Sequence, residues 1–447
     1  MVSKTVFFVA LAACLASTFS RAGELRMGLS NAVPPKVVAA SDEGERAIKR
    51  FRLQKGLKAE LFAAEPMLAN PVAFAIDERG RFYVAETFRL HDGVTDIRAH
   101  MTWLDEELAS TTVEERVRYM TAHEGERIGN YTRHSDRVRM IWDSNNDGEA
   151  DQATVFADGF NNIADGIGAG LLARRGTVYY ANIPHMWVLR DETRDGISDS
   201  KRSMLSGFGV RVGFLGHDLH GLRIGPDGKL YFSVGDRGAH VVNKEQKLIA
   251  NHEEGAVYRC DLDGSNLEIF AHGLRNPQEL AFDEFGNLWT GDNNSDGGDP
   301  ARWVYVVEGG DSGWRVGYQF LNNPSRGAWL SERMCYPHWP GQAAYIVPPI
   351  ANIGNGPSGL TYYPGVGLSP RYEKHFFLAD FRGTTGSGVH SFAVKPRGAS
   401  FDVVDRHDFV WDVLVTDVEF GYDGNFYLSD WVEGWNKSGK GRIYRIT

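Results

Sequence analysis

The stretch GLRIGPDGKLYFSVGD, residues 221–236, reads as two short alternating strands joined at Pro226-Asp227-Gly228. Asp-Gly supplies the positive φ that a tight hairpin needs. The same pattern recurs as AFAIDERGRFYVAE (73–86), GAGLLARRGTVYYANI (168–183), ELAFDEFGNLWTGD (279–292), GLTYYPGVGLSPRYEKHFFLAD (359–380) and VEFGYDGNFYLSD (418–430). A hairpin repeated every fifty to ninety-five residues or so cannot bury its face alone, so the copies must pack on one another. The six copies predict an all-β fold, a six-bladed β-propeller with one small helical insertion.

The chain outside these hairpins fills in the organisation. Lys4 followed by the apolar run Thr5–Phe19 and Ser20-Arg21-Ala22 reads as a cleavable signal peptide over 1–22, too short to span a bilayer. It predicts an exported protein, periplasmic or extracellular. An N-terminal arm is expected over 23–55 and the propeller over 56–447. Residues 102–126 break the β pattern: Thr111 or Thr112 can cap a helix with Glu114 and Glu115 in its first turn. This predicts a helical insertion over one end of blade one. The Pro-, Gly- and Trp-rich stretch 300–357 reads as a long ordered loop over a propeller face. The closing strand IYRI (443–446) is expected to seal the ring against the first blade.

Formal net charge is −10, becoming about −12 once Lys4 and Arg21 leave with the signal, which argues against nucleic acid and anionic membrane surfaces. Cys14 leaves as well. Export would permit a Cys260–Cys335 disulfide, but a buried free Cys260 is as good a reading. No Cys-x-x-Cys-His occurs, so the chain attaches no c-type haem.

Two loops carry oxygen side chains at the spacing of the first part of an EF-hand: Asp143, Asn145, Asp147 and Asp151, then Asp191, Asp195 and Asp199. Both lack the acid at position 12, and Asx-rich blade turns without metal are the alternative. In the third hairpin His217 and Asp236 fall at the same end of the strand pair, so the carboxylate can orient the imidazole as a general base. Asp218 and His220 can simply cap that blade. The fourth hairpin opens with Arg275-Asn276-Pro277-Gln278, a fixed donor set for an anionic or carbonyl-rich ligand.

These residues, with Gly297-Gly298-Asp299, resemble the soluble quinoprotein glucose and sorbosone dehydrogenase superfamily, six-bladed propellers that bind pyrroloquinoline quinone (PQQ). More closely, the chain from about 56 onward is similar to the propeller domain of planctomycete-type "membrane-bound dehydrogenase" or haem-binding proteins. The Phe62-Ala-Ala-Glu-Pro66 opening and the Gly441–Arg445 close carry that likeness. The resemblance implies a PQQ- and Ca²⁺-dependent dehydrogenase of an aldose or polyol. His217 would be the base, Asp236 would hold it, and Arg275 would polarise the quinone. Asn276, Gln278, Asp299 and Arg382 would contact the cofactor, Ca²⁺ would act as a Lewis acid, and a separate cytochrome or quinone would take the electrons. The sequence departs from the family at 310–315, which reads GDSGWR, and offers no match to its cofactor-binding lysine. A non-catalytic propeller binding carbohydrate or protein, and a metal-dependent lactonase or other hydrolase with its carboxylates on the axis, are the competing readings.

Overall fold

The computed structural model describes residues 32–320, 331–334, 338–339 and 346–447. The predicted signal peptide, Cys335 and much of the 300–357 loop lie outside the described residues. Six antiparallel sheets, five of four strands and one of five, make a six-bladed propeller, and each hairpin read from the sequence is the inner strand pair of one blade. The inner strands are Pro71–Ile76, Gly168–Arg174, Leu219–Ile224, Pro277–Phe282, Pro357–Tyr362 and Val415–Phe420. The Asp-Gly turns take the predicted conformation, with φ of 79° at Gly228 and 80° at Gly424.

Blade six is closed from the other end of the chain. Residues 443–446 pair with Phe426–Asp430 on one side and with Ala59–Ala64 on the other. The seal is therefore the N-terminal strand acting as the outermost strand of the last blade, not a contact of IYRI with blade one. This leaves no unpaired edge at the ring's join. In the arm, a short helix (Glu43–Ile48) is followed by Arg52–Leu53, which adds to the outer edge of blade five.

The core lies between blades. Ile183, Val188 and Phe208 of blade two interleave with Phe232, Tyr258 and Cys260 of blade three. Trp289 and Trp303 of blade four stack 5.4 Å apart against Phe376 and Phe392 of blade five. Cys260 is a buried free thiol.

The predicted insertion is two helices, Leu104–Ala109 and Val113–Glu124. Thr112 Oγ1 accepts from Glu115 N, and the Glu115 carboxylate accepts from Thr111 N. It packs on the segment linking blades two and three rather than on blade one. Glu107 accepts the amides of Val212 (3.0 Å) and Gly213 (2.7 Å). Among the described residues no helix is long and apolar enough to cross a membrane.

At the axis the inner strands crowd together. A Cβ on Gly170 would lie 2.9 Å from His220 Cα, and one on Gly359 would lie 2.5 Å from Val418 N. Glycine is what allows these backbones to approach. Blades four and six place Glu279 and Asp417 at the same level instead. One layer deeper Arg223 closes the channel: it pairs with Glu419 and donates to Leu280 O and Leu360 O (both 2.9 Å). Burial pushes the Asp417 carboxyl up to about 7, against the opposing bond from Phe74 N and the charge of Arg223. Burial likewise holds Glu279 well above the usual carboxylate range. A carboxyl kept neutral in the fold but ionised in the unfolded chain favours unfolding as pH rises, so its contribution is present below about pH 4 and lost towards pH 7. Asp417→Asn is therefore expected to flatten the decline in unfolding free energy across that window, measured by urea denaturation at a series of pH values. An unchanged slope would locate the titration elsewhere.

Candidate active site at the propeller mouth

The second strand of each blade ends in a buried polar residue, and most of these tie down the entry to their own inner strand. Glu86 accepts from Ala69 N (2.7 Å), Asp292 from Arg275 N (3.0 Å) and Asn276 N (2.8 Å), and Asp380 from Asn355 N (2.9 Å) and Gly356 N (3.0 Å). In blade two Asn182 donates to Gly166 O (2.8 Å). Asp236 of blade three departs from this role. Its Oδ1 lies 2.6 Å from His217 Nδ1, and its Oδ2 accepts from Trp314 Nε1 at 3.0 Å. A carboxylate only accepts, so Nδ1 carries the hydrogen and Nε2 of His217 keeps the lone pair. Burial opposes ionisation of Asp236, but the charge and hydrogen bond of His217, the charge of Arg275 and the Trp314 bond outweigh it and hold the carboxyl below its ordinary value.

The other predicted residues gather around this pair. Arg275 is fully buried. Its Nε donates to Gln319 Oε1, one Nη donates to Asp296, and the other Nη has no partner. Asn276 and Gln278 both donate to Gly216 O at 3.1 Å, which fixes the segment that carries His217. Phe214 lies over both functional groups, 5.6 Å from the His217 ring and 5.2 Å from the Arg275 guanidinium. Phe214→Ala is expected to raise carbethoxylation of His217 by diethyl pyrocarbonate, read by peptide mass spectrometry. An unchanged rate would mean that Phe214 does not shield the ring.

Beside the pair the axial channel opens into a cavity of about 170 Å³ reached by all six blades. One equivalent position from each inner strand lines it: Val72, Ala169, His220, Gln278, Ser358 and Thr416. His220 lines the cavity and also ties two blades together: its Nδ1 meets Ser233 Oγ of its own blade and its Nε2 meets Asn276 Oδ1 of the next, both at 3.1 Å. Burial pushes it down to about 4, so it is neutral. Aligning the hairpins His220-Gly221 and Gln278-Glu279 would have revealed this position. Phe381 and Trp431 complete the walls from the position just after the terminal acid of their hairpins, as Thr87 and Asn293 do in theirs, while Leu215 and Trp435 come from connections that no alignment of hairpins reaches.

Several expectations need correction. Arg382 is turned to its own blade, with Nε and Nη2 both on Asp380 Oδ2 (2.9 and 2.7 Å), a buried acid two residues away. Asp299 accepts from Ser295 N and Oγ and closes a local turn. The two acidic loops close on their own amides. Asp143 accepts from Asn146 N (2.6 Å) and Gly148 N (2.8 Å), while Asp151 accepts from Ser144 N and Oγ. Asp191 accepts from Arg194 N and Gly196 N, Asp195 from Ile197 N, and Asp199 from Glu192 N and Thr193 N. Asn145 accepts from Asp147 N and donates to that same carboxylate. Neither loop brings three acids within 4.8 Å of one another, so the predicted convergence on a calcium ion is not met, and this donor set does not fit the ion.

PQQ is a planar, acceptor-rich quinone. The cavity has flat apolar walls in Trp431, Trp435 and Phe381 and amide side chains in Asn276 and Gln278, whereas His217, Asp236 and Arg275 are buried and are not among its lining residues. Flat apolar walls and side-chain amides suit a planar, acceptor-rich ring. Among the described residues no Lys or Arg lines the cavity itself.

A family model described as "Domain of unknown function (DUF7133)" matches residues 43–435. Quinoprotein glucose dehydrogenase B of Acinetobacter calcoaceticus is 27% identical over 158 residues, 30% of this chain; the match spans 33% of that protein's length. Among solved structures, an oxidoreductase (glucose dehydrogenase) of Thermus thermophilus superposes with a TM-score of 0.55 at 18% identity, covering 88% of this chain and 100% of that one. The PQQ-bound aldose sugar dehydrogenase of Streptomyces coelicolor gives 0.51 at 15% identity, covering 89% and 100%. The holo PQQ domain of pyranose dehydrogenase from Coprinopsis cinerea gives 0.54 at 11%, covering 89% and 97%. At these identities the structural likeness is one of fold.

Proposed function

The chain belongs to that family of unknown function, and from this membership, the six-bladed fold and the paired His217 we propose that it is a PQQ-dependent dehydrogenase of an aldose or related polyol. The observation that carries the reading is Asp236. The acid that elsewhere ties down a blade here holds an imidazole at 2.6 Å, and with the hydrogen on Nδ1 the Nε2 lone pair of His217 would serve as the base. His217 would take the proton of the substrate's C1 hydroxyl, and Asp236 would stabilise the imidazolium that forms. PQQ, when bound, would supply the two-electron hydride acceptor. Arg275 would present its unpartnered Nη to the quinone edge, and Asn276 and Gln278 would hold the Gly216–His217 backbone in register beneath it. A separate exported cytochrome or quinone is the proposed electron acceptor. The apolar run after Lys4 supports export, which N-terminal sequencing of the mature protein tests.

Purified protein reconstituted with PQQ is expected to reduce a redox dye with at least one sugar of a panel. A second reading, a non-catalytic carbohydrate-binding propeller, is favoured by one observation: the cavity is lined without Lys or Arg and is walled by the exposed Trp435. Sugar binding seen by tryptophan fluorescence, with no dye reduction and no PQQ binding, would establish that reading instead. The hydrolase reading lacks its ligand set. Of the carboxylates lining the cavity, Asp218 is paired with Arg237 (2.5 Å), and no group of three possible metal ligands forms on the axis among the described residues.

A further inference from the structure

Far from the mouth, at the opposite end of the second strand of blade five, three potential metal ligands share one face of the sheet. His375 opens that strand (His375–Asp380), and His407 sits in the outer strand (Ser400–Trp411) opposite Ser391. Asp405 lies beside them at an irregularity in the ladder. The register runs from Ala393↔Val404 to Ser391↔His407, so Asp405 and Arg406 together stand opposite the single Phe392. Such a bulge re-aims a side chain. Asp405 has φ of 48°, a left-handed conformation that is uncommon for a residue other than glycine. The ligand atoms of the three residues all lie within 4.8 Å of one another.

The hydrogen bonding around them leaves lone pairs free. His407 Nδ1 lies 2.8 Å from Asp405 O, which can only accept, and 3.3 Å from Arg371 Nη2, which can only donate; the shorter contact is met with the hydrogen on Nδ1. His407 Nε2 is then a bare lone pair, buried and without a partner. His375 is 96% enclosed, and its Nδ1 lies 2.8 Å from Ser391 Oγ. A hydroxyl accepting from Nδ1 leaves Nε2 for a metal, the arrangement that usually orients a ligating histidine. Arg371 Nη2 rests between two of the ligands, 3.4 Å from Asp405 Oδ1 and 3.3 Å from His407 Nδ1. It is about half exposed and can swing into solvent. By contrast, the other comparable cluster, Glu254, His272 and Asp311, has Arg315 held between its two carboxylates.

We propose that His375, Asp405 and His407 bind one divalent transition cation of the zinc class. Two imidazoles and one carboxylate match the borderline-soft preference of Zn²⁺ and disfavour Ca²⁺ or Mg²⁺, which take oxygen. Asp405 is half exposed, so its carboxylate can close the remaining distance, and a water can complete a tetrahedron.

The test is a Zn²⁺ titration of the metal-stripped full chain against a chromophoric chelator, with Co²⁺ absorption reporting the geometry. One equivalent is expected to bind, with tetrahedral d–d bands. Asp405→Asn and His407→Gln, both at partly exposed positions, are expected to weaken binding by about tenfold or more. His272→Gln should leave it unchanged, and Arg371→Ala should tighten it by removing the competing cation, a gain that a purely structural cluster would not give. Absence of saturable Zn²⁺ binding, or equal binding by the wild type and both ligand variants, would overturn the proposal.

Discussion

Replacing His217 with alanine is expected to lower dye-coupled turnover by about a hundredfold or more while leaving PQQ binding largely intact, because a positioned general base contributes about that much. The split between the two readouts follows from the geometry. In the proposed mechanism His217 would take the proton through Nε2, whereas the buried Arg275, with one unpartnered Nη, would face the quinone. Asp236→Asn is expected to reproduce much of the loss, since an amide can present its NH₂ to Nδ1 and favour the tautomer with its hydrogen on Nε2. Turnover measured beside a PQQ fluorescence titration separates the outcomes. Loss of both in His217→Ala would mean that the ring is structural, and loss of neither would remove it from the mechanism.

The largest stability effect is expected at the closed end of the channel. Arg223→Met should destabilise the fold by about 3 kcal/mol. Removing one partner of a buried ion pair typically costs about 3–5 kcal/mol, and the guanidinium retains some surface in the channel, which places it at the low end. The charge left behind is that of Glu419, whose other side-chain partner is Thr361 Oγ1 at 3.1 Å. The double variant Arg223→Met/Glu419→Gln should recover a substantial part of the loss, because no uncompensated charge then remains. Urea denaturation at neutral pH reads both. A single-variant loss below about 1 kcal/mol would show that the pair is solvated in the manner of a surface bridge.

Much of the site was legible in the hairpins themselves. The separation of His217 from Asp236 spans one tight hairpin, and a two-strand ladder must return those residues to the same end, so the pair could be read before any tertiary contact was known. Arg275 and Asn276 were legible for a similar reason: they open the next copy of the repeat, and equivalent positions of a propeller surround one axis. Arg382, Asp299 and the acidic loops were misread because each carries a charge whose nearest partner lies within its own turn. Short-range hydrogen bonds took those groups out of contention.

The sequence alone determined the class of fold, the blade count and the inner strands, because period-two alternation and Asp-Gly turns act over neighbouring residues. It also determined which residues could supply a base and its orienting acid. Only the tertiary structure decided that the N-terminal strand closes the last blade, that His220 rather than a cation faces the cavity, and that Phe214 covers His217. It alone brought Trp314 onto Asp236 across 78 residues of chain. These are contacts between segments distant in sequence, chosen by how six sheets pack around a narrow axis, and no local pattern carries that information.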